Sequence, residues 1–311
     1  MGRRATAMGP GGEFDVIREL VQRWGARAAG VGDDAALLSV PAGHQLVAST
    51  DVAVDGVHFR RDWLTPREIG YRATAAALSD LAAMAATPLG VLIVFAMPAG
   101  FLPLIAEIAD GVGDAVDAAR THVVGGDLSV AGELSIGVTV LGACDRALTR
   151  AGARPGDNLY VTGTLGGPLA ALQAWRAGQQ PGAEARARFA RPVPRIAAAR
   201  WLIEHGATAG LDISDGLLGD AAHLAAASGV RIEVELDRLP VVAGSTPTAA
   251  AESGEEYELL VTGPPALADG DFAARCGIPL TRIGTVQAGT AEVTALLKGE
   301  RVAPAAGYSH F

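Results

Sequence analysis

The sequence predicts an α/β (α+β) protein of two domains, each with a mixed β-sheet packed against helices. Three observations predict it. Short β-type apolar runs interleave with helical periodicity in both halves of the chain. A polar connector bearing glycine and proline, Arg146 to Asp157, separates those halves. With 311 residues, 50% of them hydrophobic, each half has the apolar material for a core of its own. The expected division is 1–12 as a disordered N-terminal extension, 13–150 as the first domain and 151–311 as a second α/β domain.

In the first half, Phe14, Ile17, Leu20, Val21 and Trp24 share one face of a helix from Glu13 to Trp24. A glycine-rich turn leads to Gly32-Asp33-Asp34, two adjacent acids of the kind that turns and helix caps use. Gln45 to Thr50 reads as a strand ending in two hydroxyls, with Asp51 at its tip and Gly56-Val57-His58-Phe59 beyond. Pro66 to Ala86 is an alanine-rich helix with proline in its first turn. Inside it lies Asp80, a poor helix former with apolar neighbours Ala76, Ala77, Leu78 and Leu81. A strand from Gly90 to Met97, a helix from Pro103 to Thr121, the run His122 to Asp127 and a strand from Leu134 to Ala143 complete this half.

The second half restarts with a strand, Asn158 to Thr164, and a helix through Trp175. Residues 178–188 read as polar and interrupted, followed by a helix from Pro194 to His205. The segment Leu211-Asp212-Ile213-Ser214-Asp215-Gly216-Leu217-Leu218-Gly219-Asp220 opens a helix from Leu217 to Ala227; Ser214 and Asp215 would serve as its N-cap, but three acids within nine positions, Asp212, Asp215 and Asp220, exceed what one cap requires. Val230 to Leu236 alternates as a strand, residues 243–251 read as loop, and Gly254-Glu255-Glu256-Tyr257-Glu258 leads into another strand. Short β segments carry the chain to Gly307-Tyr308.

Composition narrows the function. The net charge is −9 and Lys298 is the only lysine, which argues against a broad nucleic-acid or anionic-lipid surface. The uncharged stretch from 81 to 106 is long enough to span a bilayer, but Pro88, Gly90, Pro98, Gly100 and Pro103 break it. No export signal is expected from Met1-Gly2-Arg3-Arg4, which lacks an apolar run behind it. Two cysteines, Cys144 and Cys276, fit neither a metal spacing nor a disulfide framework, so a reduced, cytoplasmic setting is expected. There is no G-x-x-x-x-G-K-[ST] loop, and Lys298 lies in a terminal turn, which excludes a P-loop NTPase or protein kinase.

What recurs instead is the carboxylate at a strand tip, turn or helix start: Asp33, Asp34, Asp51, Asp80, Asp127, Asp212 and Asp215. Each has an ordinary structural explanation, whereas together they suit hard cations such as Mg²⁺. The glycines of Gly125-Gly126-Asp127 would admit a phosphate close to the backbone.

The ordered set Gly32-Asp33-Asp34-Ala35-Ala36, Ser49-Thr50-Asp51, Gly56-Val57-His58-Phe59, Leu78-Ser79-Asp80-Leu81, Gly125-Gly126-Asp127, Asp212-Ile213-Ser214-Asp215-Gly216, Gly254-Glu255 with Tyr257-Glu258-Leu259, and Gly307-Tyr308 resembles the thiamine-monophosphate kinase family over nearly the whole chain. The resemblance implies the two-domain aminoimidazole-ribonucleotide synthetase-like fold. The first domain would bind ATP and metal and pair across a homodimer. It implies Mg²⁺-assisted, in-line phosphoryl transfer from ATP to thiamine phosphate, giving thiamine diphosphate. By the same resemblance Asp34, Ser49, Thr50, Asp51, Asp80, Asp127, Asp212 and Asp215 would hold several Mg²⁺ ions. Gly126, Asp127, Arg150 and Ser214 would contact ATP, and His58, Glu255 and Tyr308 would contact thiamine phosphate. No residue is expected to act as acid or base; Asp51, Asp80 and Asp127 would act through metal.

The chain departs from the family's frequent Gly-Gly-Glu-Asp-Tyr at Ser253 and Glu256, while Glu255 is retained. Two rival readings are a sister ATP-dependent enzyme of the superfamily and a non-catalytic nucleotide-binding sensor. A selenophosphate synthetase would carry a reactive Cys near the N-terminus, where this chain has none. Nucleotide binding without turnover would favour the sensor.

Overall fold

The computed structural model describes residues 12–269 and 271–303. The expected extension, apart from Gly12, and Tyr308 lie outside the described residues. Two compact units form: Met1–Leu81 with Ala86–Arg146, and Ala82–Ala85 with Ala147–Phe311.

In chain order the first unit contains α1 (Gly12–Trp24), β1 (Gln45–Val54), α2 (Pro66–Ala83), β2 (Thr87–Met97), α3 (Ile105–Ala118), β3 (Val123–Val130) and β4 (Ser135–Cys144). The sheet order is β1-β4-β2-β3. β2 and β3 are parallel, joined through α3, and the other pairs are antiparallel. Alternation along β2 and β4 buries Val91, Ile93, Phe95 and Met97 with Ile136, Val138 and Val140. α2 lies against that face, with Leu81 packed on Gly142. α2 and α3 cross closely enough that a Cβ at Gly111 would meet the Arg67 carbonyl oxygen at 1.8 Å, and one at Gly70 would meet that of Ile108 at 2.0 Å. Arg67 spans the same crossing with two hydrogen bonds to Asp114, both 2.8 Å.

The opposite face of this sheet is open. Register places Val52, Gly137 and Val94 in one row across β1, β4 and β2. Val52 and Val94 are 54% and 38% exposed, and Leu46 on the same side of β1 is 56% exposed.

The second unit contains β5 (Asn158–Thr162), α4 (Gly167–Arg176), α5 (Ala183–Ala190), α6 (Ile196–Glu204), β6 (Ala209–Asp212), α7 (Leu217–Ser228), β7 (Arg231–Glu235), α8 (Pro247–Glu252), β8 (Leu259–Gly263), α9 (Phe272–Cys276), β9 (Leu280–Gln287), β10 (Glu292–Leu297) and β11 (Glu300–Val302). Its sheet runs β11-β10-β7-β9-β5-β8-β6, antiparallel except for β10 with β7. Both faces are covered, which is why β5 and β8 read as unbroken apolar runs. Leu159 and Val161 join the core formed with α7 and α8, while Tyr160 between them joins the core formed with α6 and α9.

Three expectations need correction. β1 continues to Val54 because it pairs with β4 along its whole length, and β3 continues to Val130 along β2, so Asp51 and Asp127 lie within strands and not at their tips. Residues 183–190 form α5, although its surroundings read as interrupted and polar. Within the expected loop 243–251, Thr246 caps α8 by accepting from the Ala249 N–H at 3.2 Å, with Pro247 at the first helical position. Among the described residues no helix is long and apolar enough to cross a membrane, and the uncharged stretch from 81 to 106 is divided among α2, β2, a 3₁₀ segment and α3.

Candidate functional site

Strand periodicity puts Ser49 and Asp51 on one face of β1 and Thr50 on the other. The first face meets α2: the Ser49 hydroxyl donates to the Asp80 carboxylate at 2.5 Å. Asp51 has its carboxyl pushed up to about 6, first by desolvation and then by the Asp80 charge. Asp51 as a whole residue is nonetheless exposed. Thr50 turns away from this group, and its hydroxyl pairs with that of Thr139 at 2.9 Å.

His58 follows in the turn after β1. Its Nδ1 accepts from the Val54 N–H at 3.1 Å, which leaves the ring proton of the neutral imidazole on Nε2. Asp55 nearby pairs with Arg61 at 2.5 Å. Asp33 and Asp34 lie exposed in the bend that precedes β1.

Asp127 stands on β3, at the other edge of the sheet from β1. Three strand spacings, roughly 14 Å along the sheet, separate those edges. Ser129 donates to Asp127 at 3.3 Å. Gly126 has a reason of its own, since a Cβ there would meet the Ile93 carbonyl oxygen at 1.8 Å. Among the described residues no three His, Cys, Asp or Glu side chains form a ready cation cage. The structure brings Ser49, Asp51 and Asp80 together, and leaves Thr50 and Asp127 apart from them.

In the second unit Asp212 ends β6, and Ile213, Ser214 and Asp215 turn into α7 through Gly216 at φ 115°. The turn is held from within by Asp220, a buried residue that sequence reasoning did not assign. Its carboxylate accepts from the backbone N–H of Ser214 at 3.1 Å and of Asp215 at 3.2 Å. Burial pushes the Asp220 carboxyl up to about 7; the backbone N–H donors oppose this, and the charges of Asp212 and Asp215 add to it. The third acid of this segment was the available signal.

Loop 253–258 is laced to that turn. Glu255 N–H donates to the Ser214 carbonyl at 2.6 Å, Tyr257 N–H to that of Ile213 at 2.9 Å, and Ile213 N–H to that of Glu258 at 2.8 Å. Glu255 and Tyr257 adopt left-handed backbone angles, φ 57° and 54°, which non-glycine residues adopt only when their surroundings impose them. Those surroundings include a buried charge network. Arg195 grips Glu258 with two bonds of 2.8 and 2.5 Å, Arg188 adds one at 2.9 Å, and Thr162 donates at 2.6 Å. Arg188 also donates to the Thr164 carbonyl and reaches Glu256 at 3.3 Å. Neither arginine was singled out in the sequence, because their carboxylate partners lie more than 60 positions away. Arg150 is exposed, with its carbonyl accepting from the Ser228 hydroxyl at 2.8 Å.

Chemically, the first unit offers a cluster of hard oxygen donors whose like charges a divalent cation would relieve. The second offers a turn and a loop in which Ser214, Asp215 and Glu255 are tied together by backbone hydrogen bonds and by the Asp220 carboxylate.

Two family models match the chain: the N-terminal domain of AIR synthase related proteins over residues 32–144 and the C-terminal domain over residues 154–296. The chain is 37% identical over 305 residues to the thiamine-monophosphate kinase of Rhodopirellula baltica, covering 91% of each. It is 35% identical to that of Salmonella typhimurium, covering 96% of this chain and 98% of the relative. Among solved structures it is similar to thiamine-monophosphate kinase from Stenotrophomonas maltophilia, with TM-score 0.81 and 34% identity over 93% of this chain and 96% of that one. It is also similar to AaThiL complexed with AMPPCP and TMP, with TM-score 0.78 and 31% identity over 96% and 97% of the two chains.

Proposed function

The chain belongs to the thiamine-monophosphate kinase family of AIR synthase related proteins, and from that premise we infer how its residues carry out ATP-dependent phosphorylation of thiamine phosphate to thiamine diphosphate. The observation that carries the mechanistic reading is the meeting of Ser49, Asp51 and Asp80 between β1 and α2.

The acceptor is itself a phosphate ester. With a second pKa of about 6 it is mostly ionised at neutral pH, so no side chain has to remove a proton. The obstacle is bringing two polyanions into line. Carboxylates paired against a hydroxyl, in a chain with a single lysine, suit that task only as cation ligands. Ser49, Asp51 and Asp80 would hold Mg²⁺ directly. Asp34, Asp127, Asp212 and Asp215 would complete a set for several ions, and Thr50 would join them only through its backbone, because its hydroxyl faces Thr139 on the other side of the sheet. Bound Mg²⁺ would neutralise charge on the polyphosphate. Gly126, Asp127, Arg150 and Ser214 would orient ATP, while His58, Glu255 and Tyr308 would hold thiamine phosphate. Attack in line on the γ-phosphoryl group then needs only positioning.

The open face of the first sheet supports a homodimer. Leu46, Val52 and Val94 form an exposed apolar surface on strands whose other side is core. Cys144 and Cys276 are free thiols, in keeping with a cytoplasmic enzyme. Product formation as a function of Mg²⁺ tests the reading: activity should need more than one equivalent of the ion per chain. Full activity without divalent cation would overturn it. Sedimentation at micromolar concentration should give a dimer, and replacing Val52 by Asp should give monomers.

A further inference from the structure

Helix α4 begins without a cap of its own. Gly166 is its N-cap residue and has no side chain to offer. Its first N–H groups are satisfied instead from loop 253–258. The Gly166 N–H donates to the Glu256 carboxylate at 2.6 Å, and the Leu169 N–H donates to the Ser253 hydroxyl at 3.2 Å. Ser253 in turn hydrogen-bonds Glu256, and Arg188 approaches the same carboxylate. Ser253 and Glu256 are both buried. They stand on either side of Glu255, whose left-handed backbone could relax if either flank were released.

We propose that Ser253 and Glu256, by capping α4 in trans, are positioning residues for thiamine phosphate: they clamp the loop on both sides of Glu255 and fix that side chain against the Ser214 turn. The inference rests on thiamine phosphate as the acceptor. Arg188 is the brace behind the clamp, joining Glu256 to Glu258 and so to the first residues of β8. A glutamate suits position 256 because its carboxylate reaches Gly166, while the shorter Ser253 serves the amide three residues further on. The two side chains act as one unit because they share a hydrogen bond and a helix end.

The test is steady-state kinetics on the full chain with Ser253→Ala, Glu256→Ala, the double variant and Glu256→Gln, varying thiamine phosphate and ATP separately, with melting curves for each. Glu256→Ala should raise KM for thiamine phosphate about tenfold, the scale of one lost buried hydrogen bond, and leave KM for ATP within about twofold. Ser253→Ala should raise it about threefold, and the double variant no further than Glu256→Ala alone. Glu256→Gln keeps an acceptor for Gly166 and should stay within about threefold of the parent. If Glu256→Ala does not fold, Ser253→Ala with Glu256→Gln carries the same comparison. An unchanged KM for thiamine phosphate, an equal rise for ATP, or full additivity overturns the proposal while the kinase reading stands. A parent protein without any turnover of thiamine phosphate overturns both.

Discussion

Ser49 on β1 donates its hydroxyl to Asp80 on α2 at 2.5 Å, so one hydrogen bond joins the edge strand to the helix that carries the second carboxylate. Asp51, two residues along on the same face, feels the Asp80 charge directly. Replacing Asp51 or Asp80 by Asn would take away a proposed Mg²⁺ ligand while keeping the side chain's shape. Each change should lower kcat about 100-fold or more in saturating substrate, with a melting temperature no lower than the parent's, since each relieves the repulsion between the two carboxylates. Rates close to the parent in both variants would remove these residues from the ion-binding set.

His58 has one ring nitrogen committed to the Val54 N–H. The other carries the proton and is the one that could meet an anion. His58→Ala should raise KM for thiamine phosphate about tenfold with kcat within about twofold, measured as initial rates of ADP release. If KM is unchanged, the imidazole serves the turn and nothing else.

Glu258 is fully buried, and Arg195, Arg188 and Thr162 all bond to it. Removing it takes the carboxylate away from Arg195 and leaves Arg188 with only Glu256 and the Thr164 carbonyl. Glu258→Ala should cost about 3–5 kcal/mol and lower the melting temperature by about 10 °C or more. A loss below about 2 °C would mean that solvent reaches the arginines and the network is energetically neutral.

Glu256 gives the stability a pH dependence of known sign. Burial raises its carboxyl from 4.5 to about 7, only partly offset by Ser253, Arg188 and the Gly166 N–H. Below pH 4.5 both folded and unfolded chains hold the proton. Between 4.5 and 7 the folded state holds more protons, so stability declines as pH rises through that window. Glu256→Gln should therefore lose less melting temperature than the parent between pH 5 and about 7.5. Asp220 contributes a slope of the same sign to both proteins, so the difference isolates Glu256. Parallel curves would contradict the raised pKa.

Much of the fold was legible because periodicity survives in the sequence. The core strands β5 and β8 and the helices α1 and α7 fall where apolar spacing puts them. Asp51 was misplaced at a strand end because a carboxylate looks like a terminus, whereas pairing with β4 decides where β1 stops. α8 had a signal in Thr246-Pro247 that the small residues after it obscured. The candidate ligands were legible as an ordered set, but the supports behind them were not. Arg188, Arg195 and Asp220 act through bonds that only the folded chain creates. Ser253 and Glu256 stood out as departures from the family pattern, and their meeting at α4 appears only in three dimensions.

The most direct test of the central claim is to incubate the protein with ATP and Mg²⁺ and to measure thiamine diphosphate and ADP, offering thiamine phosphate in one arm and free thiamine in the other, and then repeating both with excess EDTA. An ionised phosphate acceptor that needs no base predicts equal amounts of both products from thiamine phosphate, none from thiamine, and loss of activity with EDTA. Phosphorylation of free thiamine, or turnover that survives EDTA, would contradict it.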